Sequence, residues 1–194
     1  MTTSQDIAVL LERLARVMQN EAHVGGLKPT QWEALRYLAR ANRVSRTPSG
    51  LTAYLGMTKG TVSQTLNALE RKELIVKEAD PGDRRQVRID LTPKGLRLLE
   101  QDPIDAMLRS ASKLSGEERR GLAQSLESLL KETLRSRGGR PFGACRTCRF
   151  FKARAPGGAP HYCGLLDVAL SADDSQRICV EQEPRAQDSG TKLP

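Results

Sequence analysis

The fold is decided by residues 51–75, which read LTAYLGMTKGTVSQTLNALERKELI. Gly56 interrupts the helical pattern, so the stretch predicts a short helix over 48–55 and a second helix over 58–72. Three apolar side chains recur at helical spacing along the second helix and are expected to face inward: Val62, Leu66 and Leu69. Two short helices joined by a tight turn predict a helix-turn-helix.

Two strand-like segments follow these helices. Residues 74–78 and 86–91 are rich in β-formers, and the second alternates apolar with charged side chains. The turn residues Asp-Pro-Gly-Asp at 80–83 lie between them. The pattern predicts a β-hairpin with a basic tip, that is, a wing.

Helices are also predicted before this core. Apolar residues at helical spacing indicate a helix over 4–22. Thr30 followed by Glu33 predicts a capping box that opens another helix, ending near Asn42.

Leucine-rich helices follow the wing, over 93–137. Ser115 and Glu118 form a second predicted capping box within them. The density of leucine in residues 96–134 exceeds what one monomer needs for its own core. We therefore expect an apolar homodimer interface of the obligate kind.

The outward positions of the second helix carry short hydroxyl and amide side chains with one lysine. Such residues lower helix propensity, and ordinary solvated helix faces carry Glu, Lys and Gln instead. A face poor in carboxylates suits phosphate and base-edge contacts in a major groove, so we expect double-stranded DNA as partner, a plain solvated face being the alternative. The expected contact residues are Thr58, Lys59, Thr61, Ser63, Gln64, Thr65 and Asn67.

The hairpin tip carries a compact charged group that belongs to the same predicted interface. Its members are Asp83, Arg84 and Arg85, with Arg88 on the same side of the following strand. One arginine is expected to enter a minor groove while Asp83 holds its guanidinium. The alternative is an exposed ion pair, worth about 0 to 1 kcal/mol.

Charge and hydropathy limit the partners. The chain has a net charge of +8, and residues 43–97 hold eleven Lys or Arg against six Asp or Glu, so the surplus is local and favours an anionic partner. No apolar run is long enough to span a membrane, and the N-terminus lacks the features of a signal peptide. These features predict a cytoplasmic protein with no membrane partner.

Three motifs together resemble the MarR family of regulators: the stretch at 51–75, DPGDRR at 80–85 and LTPKG at 91–95. The resemblance covers residues 1 to about 137. It implies a winged helix-turn-helix, an obligate dimer of intertwined helices and pseudo-palindromic DNA sites. It also implies that Arg85 is the minor-groove residue and Asp83 its brace. Many members bind a small phenolic or lipophilic effector, which no residue pattern identifies in this sequence.

All four cysteines lie near the end of the chain, with the spacing Cys145-x2-Cys148-x14-Cys163-x15-Cys179. Four clustered thiols in a cytosolic protein indicate a metal site, either tetrahedral zinc or an iron-sulfur cluster. One tight pair and two single cysteines, with aromatic residues between them, resemble small high-potential-type iron-sulfur modules in spacing only. We therefore expect a 4Fe-4S cluster, with zinc as the alternative. His161 is expected to be a hydrogen-bond partner behind the ligands or, alternatively, a ligand itself.

The expected fold class is mainly α with a small β-hairpin wing, helical dimerisation elements and a small C-terminal metal-binding module. The expected divisions are a winged-helix domain (1–137, with its DNA-binding core at 30–95 and dimerisation helices at 4–22 and 93–137), a linker (138–143), a four-cysteine metal-binding module (144–184) and a disordered tail (185–194).

The expected function is a transcription regulator, a repressor in its simplest form, that responds to redox state or iron through the four-cysteine cluster. A regulator with structural zinc and a lipophilic effector, an electron-transfer or enzymatic protein, and a non-specific architectural DNA binder are the alternatives. No catalytic constellation is legible, so an enzyme is not expected.

Overall fold

The computed structural model describes residues 3–21, 24–79, 87–154 and 158–185. Its first part runs α1 (Ser4–Glu21), a 3-10 turn (Val24–Gly26), α2 (Pro29–Arg40), α3 (Pro48–Leu55), α4 (Lys59–Arg71), β1 (Ile75–Ala79), β2 (Val87–Leu91), α5 (Pro93–Leu99), α6 (Asp105–Ser112) and α7 (Gly116–Ser136). Its second part runs β3 (Gly143–Ala144), a 3-10 turn (Cys145–Thr147), β4 (Phe151–Ala153), β5 (His161–Cys163), β6 (Val168–Leu170), α8 (Ala172–Gln176) and β7 (Ile178–Cys179). The mainly α architecture with a β-hairpin confirms the winged-helix part of the predicted fold class.

The main core lies where α2, α3 and α4 pack against the hairpin. The predicted inward stripe of α4 is confirmed, since Val62, Leu66 and Leu69 are at most 1% exposed. Burying large apolar side chains of this kind contributes about 1.5 to 3 kcal/mol each. The core is completed by side chains of the neighbouring elements: Trp32, Leu35, Leu38, Leu51, Ile75 and Ile89.

Local signals set the ends of α3 and α4. The Thr47 hydroxyl accepts a hydrogen bond from the Gly50 amide at the start of α3. Gly56 ends that helix in the left-handed conformation (φ 63°), which glycine adopts without strain. The Thr58 hydroxyl then caps α4 by accepting from the Thr61 amide. The turn of the helix-turn-helix is therefore specified by its own sequence.

The two predicted capping boxes had different outcomes. Ser115 and Glu118 form theirs, with the Ser115 amide donating to the Glu118 carboxylate over 2.8 Å. The box at Thr30 and Glu33 was wrong, because α2 already begins at Pro29. Proline's fixed φ suits the first helical position. The residue that reaches back is therefore Gln31, whose side chain accepts from the Lys28 amide over 3.0 Å.

The predicted hairpin is confirmed. β1 and β2 pair antiparallel, with Ile75 opposite Leu91 and Ala79 opposite Val87. Ile89 points into the main core and is fully buried. Residues 80–86, which include the predicted basic tip, lie outside the described residues.

Helices α1, α6 and α7 contribute no buried side chain to the chain's own core within the described ranges. They instead expose apolar side chains, each at least 41% accessible: Ile7, Val9, Leu10, Leu14, Val17, Leu108, Leu122, Leu126, Leu129 and Leu130. None of the helices in the described ranges combines the length and apolar character needed to cross a bilayer.

The C-terminal segment packs directly on the winged-helix part. β3 pairs with β7, and β4, β5 and β6 form a second small sheet. Phe142 and Ile178 pack against the main core, and Ile178 also forms a β-bridge with Ala41. The segment is thus seated on the loop that joins α2 to α3 (residues 41–47, the α2–α3 loop). The predicted tail lies outside the described residues from position 186 onward.

Candidate nucleic-acid interface and the adjoining cysteine cluster

Helix α4 presents a polar, carboxylate-free face to solvent. All but one of the residues predicted to point outward from it are exposed: Thr58, Lys59, Thr61, Ser63, Gln64 and Asn67. A groove beside this face is lined by hydroxyl side chains of α3 and α4 and by two lysines, Lys59 and Lys77. The arrangement offers hydrogen-bond donors and positive charge to an anionic surface.

Thr65 is the exception, and its predicted outward position was wrong. The residue is 9% exposed, and its hydroxyl donates to the Thr61 carbonyl over 3.0 Å. Positions 62, 65, 66 and 69 share one helical face, so Thr65 lies at the edge of the inward stripe. A threonine can occupy this place because its hydroxyl bonds back to the preceding turn.

Asn67 is tied to the hairpin. The ammonium of Lys77 on β1 donates to the Asn67 side-chain oxygen over 2.6 Å and to the Glu70 carboxylate over 2.8 Å. These contacts hold the wing against the end of α4. Asn67 therefore positions the hairpin in the unbound protein.

On the hairpin itself, Arg88 pairs with two carboxylates. Its guanidinium lies 2.8 Å from Asp90 and 3.2 Å from Glu78. Asp83, Arg84 and Arg85 fall outside the described residues, and their DNA-contacting roles stay predictions.

The strand pairings of the second part bring all four cysteines together. β3 and β7 place Gly143 opposite Cys179, and β4 and β5 place Phe151 opposite Cys163. Cys145 and Cys148 lie on the short turn between β3 and β4. The four thiols line one small cavity of about 10 Å³ together with Phe150, Phe151 and Leu170.

The cysteines are enclosed and form no disulfide with one another. Cys145, Cys148 and Cys179 are at most 7% exposed, Cys163 is half-buried, and all four are free thiols. Within the described ranges, no three His, Cys, Asp or Glu side chains already stand in the close arrangement that holds a metal ion. The thiols therefore share a cavity without converging on one point.

Polar groups of the α2–α3 loop reach the cysteine sulfurs. The Asn42 amide donates to the Cys145 sulfur over 3.0 Å, and Asn42 is fully buried. A hydrogen bond from the Cys145 thiol lowers the pKa of Cys179 below its ordinary value, and bonds from Asn42, the Glu181 amide and the Ser45 hydroxyl outweigh the opposing effect of burial. Sequence reasoning assigned neither Asn42 nor Ser45 to the site, since nothing local in the sequence marks them.

His161 lies on β5, two residues before Cys163, with its ring centroid 4.9 Å from that of Phe151. Its Nδ1 is buried, and no group among the described residues forms a hydrogen bond with that nitrogen. Buried polar atoms are rarely left unpaired, so this nitrogen is a candidate ligand or hydrogen-bond donor to a bound group.

Asp174 at the start of α8 also fastens the C-terminal segment to the α2–α3 loop. Its carboxylate accepts from the Arg43 amide over 3.1 Å and lies 3.5 Å from the Arg43 guanidinium. Burial raises the pKa of Asp174, but hydrogen bonds from Arg43 and Ser171 and the charge of Arg43 outweigh it, so the pKa is lowered from 3.8. The charged form is therefore preferred in the folded protein.

A pH-dependent stability follows from Asp174. Because its folded pKa is depressed, the carboxylate contributes stability above about pH 4, and the contribution is lost as pH falls through the folded pKa. We expect Asp174→Asn to lower the melting temperature at neutral pH and to flatten its decline in acid. Thermal unfolding of both proteins between about pH 2 and pH 7 measures this. Parallel curves for the two proteins would contradict it.

A second cavity lies where α7 meets the winged-helix part. Its volume is about 510 Å³, and it is open between α7, α2 and α3. Apolar walls alternate with three arginines in its lining, which includes Met18, Arg36, Arg40, Tyr54, Leu130, Leu134, Arg140 and Phe142.

This chain is similar to known proteins in its winged-helix part. Residues 25–86 match the model described as MarR family. The HTH-type transcriptional regulator MhqR of Bacillus subtilis (strain 168) is 32% identical over 82 residues, which cover 42% of this chain and 55% of that protein. The chain thus spans little more than half the length of this curated relative.

Solved structures extend the likeness beyond the matched segment. The structure of S. aureus MepR in its DNA-binding conformation has a TM-score of 0.58 at 28% identity, over 66% of this chain and 98% of MepR. The S. aureus MepR-DNA complex gives a TM-score of 0.54 at 26% identity, over 68% of this chain and 99% of MepR. The helix-turn-helix, the hairpin and the helices around them therefore share the fold of MarR-type regulators, and residues 25–86 are similar in sequence to the MarR family.

Proposed function

We propose that this protein is a DNA-binding transcription regulator that acts as a homodimer on pseudo-palindromic operators and represses by occupying them. The observation that carries the proposal is the solvent-exposed face of α4, where hydroxyl and amide side chains stand without any carboxylate from Thr58 to Leu69. An α-helix fits a major groove about 12 Å wide, and such side chains can contact base edges and phosphates there.

The positive charge around this face suits contact with a polyanion. Lys59 and Lys77 border the groove beside α4, and the net charge of the whole chain is +8. Neutralising phosphates releases counterions, which supplies much of the affinity for DNA. The related MepR has been crystallised in complex with DNA, which supports the same activity for this chain.

The homodimer is supported by the apolar side chains that α1, α6 and α7 expose. Monomeric proteins rarely leave contiguous apolar patches of this kind in water. Covering them with a second copy would place two α4 helices on one side of the assembly. A two-fold protein of this form binds sites whose halves repeat as inverted sequences.

A binding experiment tests the proposal. Fluorescence anisotropy would compare the DNA upstream of the protein's own gene with a scrambled fragment of equal length. A specific regulator is expected to prefer its operator by about 1,000-fold or more. Equal binding to both fragments would identify a non-specific architectural protein, and no binding to any promoter fragment would overturn the proposal.

One substitution on α4 tests the reading face itself. We expect Gln64→Ala to weaken operator binding by about 1 to 3 kcal/mol, because an exposed amide in the groove can form two hydrogen bonds to the major-groove edge of one adenine. Gln124→Ala on the exposed surface of α7 is the matched control and should leave affinity unchanged. Equal affinity of the two variants in anisotropy titrations would exclude α4 as the reading helix.

Control by a small lipophilic ligand is a second candidate property. The cavity of about 510 Å³ between α7 and the winged-helix part has the size of a small-molecule site. Of its three arginines, Arg36 pairs with Asp102 and Arg140 with Glu181. Its apolar and aromatic lining therefore suits a lipophilic aromatic ligand, with Arg40 as a partner for an acidic group. Titration of the operator complex with aromatic carboxylates and phenols would detect such a ligand as a loss of anisotropy.

A further inference from the structure

We propose that Cys145, Cys148, Cys163 and Cys179 together ligate one metal centre, and that its loading fixes the α2–α3 loop and thereby tunes DNA binding. The second half of this inference rests on the proposed function. Two centres share this chemistry. A single zinc ion and a 4Fe-4S cluster are each held by four thiolates.

The chemistry of the cavity fits such a centre. Four cysteines, three apolar side chains and Glu181 line it, and Phe150, Phe151 and Leu170 would shield a bound metal from water. Cysteine has one side-chain torsion, and its sulfur can swing toward a common point while the backbone stays in place. The strand pairings therefore need not change when the sulfurs close on a metal.

The fold of the segment also needs a central ligand. Its own core contains three fully enclosed side chains, Cys145, Leu170 and Cys179, of which two are cysteines. So small an apolar core stabilises a segment weakly, and proteins of this size commonly rely on a metal or on disulfides. No disulfide joins the four cysteines, so a metal bound by them would supply this stabilisation.

Hydrogen bonds to the sulfurs are the third supporting observation. The Glu183 amide approaches the Cys148 sulfur at 3.5 Å, as the Asn42 side chain approaches Cys145 at 3.0 Å. Donors of this kind stabilise thiolate charge and tune the metal that the thiolates hold.

A continuous set of contacts joins the cavity to the DNA-reading elements. The side-chain oxygen of Asn42 accepts from the Ser45 amide over 2.9 Å, and the Ser45 hydroxyl accepts from the Val180 amide over 3.0 Å. In the same loop, the Arg46 carbonyl accepts from the Ile89 amide over 2.7 Å, and the Arg46 guanidinium pairs with Asp90 over 2.8 Å, both on β2. The loop then leads directly into α3. Disorder in the cysteine cavity would therefore reach both α3 and the wing.

The first test is metal content of the full chain, purified without oxygen. Elemental analysis, acid-labile sulfide and an absorption spectrum are measured on the same sample. About one zinc per chain with no visible absorption, or about four irons and four sulfides with a broad band near 400 nm, would each support the inference and name the centre. Less than about a tenth of an equivalent of either, also after reconstitution with zinc or with iron and sulfide, would overturn it.

Substitutions assign the centre to the cysteines. Cys148→Ser is expected to lose the metal, whereas Thr147→Ser, an exposed position in the same turn, should retain it. Full metal content in Cys148→Ser would overturn the ligand assignment. If that variant does not fold, the alkylation rate of the wild-type thiols decides the matter. Rates that rise at least about tenfold after chelation support ligation, and unchanged rates refute it.

The link to DNA is tested on the wild-type chain and on a positioning residue. Chelated protein should bind its operator about tenfold more weakly and recover when the metal is restored. Asn42→Asp, which keeps the acceptor for Ser45 but replaces the donor by a charge, should release metal at least about tenfold faster. Unchanged operator affinity of the metal-free chain would overturn the link alone, whereas a loaded chain that binds no promoter would refute the proposed function and leave the metal site intact.

Discussion

Replacing Leu126 with glutamate is expected to give a folded monomer whose affinity for a palindromic operator is at least about a hundredfold lower. Leu126 is 41% exposed on α7, in line with Leu122 and Leu129 on the same helical face. In a dimer this face would be dry, and an unpaired carboxylate there costs several kcal/mol. The second half-site contact would then no longer be intramolecular, which removes the gain from linking two binding units.

The variant is informative because Leu126 takes no part in the chain's own core. Circular dichroism should therefore stay native-like, while light scattering after size-exclusion chromatography reports the halved mass. Ser128→Glu adds the same charge to an exposed position off the leucine face and should remain dimeric. A dimeric Leu126→Glu protein would show that α7 lies outside the interface.

Sequence predicted the winged-helix part well because its signals are local. Gly56 and the Thr58 hydroxyl specify the turn by themselves, through a left-handed φ and an N-cap bond. The inward stripe of α4 follows from the helix period and is confirmed. The alternation of β2 holds at Ile89 and Leu91, which pack into or against the core, but not at Val87, which is 39% exposed. Features that depend on neighbours within four residues were therefore legible.

The errors arose where two local signals competed. The Thr30–Glu33 pattern is a valid capping signal, but Pro29 takes the first helical position and shifts the start of α2 by two residues. Thr65 has the polarity of the reading face but the spacing of the core, and spacing decided its burial. A helical projection that weights position above polarity would have placed it correctly.

Long-range contacts could not be predicted from the sequence. The cysteine spacing indicated a shared site, yet no pattern connects Asn42 with Cys145, 103 positions further along the chain. The full burial of Asn42 marks it as part of the site, and this burial is seen only in the folded chain. The same holds for the seating of Phe142 against Tyr37 and Tyr54, whose ring centroids lie 6.1 Å and 5.1 Å from its own. The predicted linker region thus ends in a packed aromatic side chain.

The second large effect is expected at the junction between α2 and the turn before α6. Asp102, in the turn before α6, accepts two hydrogen bonds from the Arg36 guanidinium, at 2.6 Å and 2.7 Å, and a third from the Ile104 amide at 2.9 Å. The carboxylate is 7% exposed, and Arg36 retains 21%. Asp102→Ala should therefore lower the free energy of unfolding by about 3 kcal/mol, because it leaves a largely enclosed guanidinium without a partner.

A double substitution separates pairing from burial at this junction. Removing both charges in Arg36→Met/Asp102→Leu should cost less than Asp102→Ala alone, since an apolar pair needs no counter-charge. Glu100→Ala, an exposed carboxylate two residues earlier, is the control and should change stability by at most about 0.5 kcal/mol. Urea unfolding measures all of these variants, and a double variant less stable than Asp102→Ala would refute the argument. Because the pair ties α2 to the start of α6, Asp102→Ala should also weaken operator binding in proportion to the lost order between the reading helices and the dimer interface.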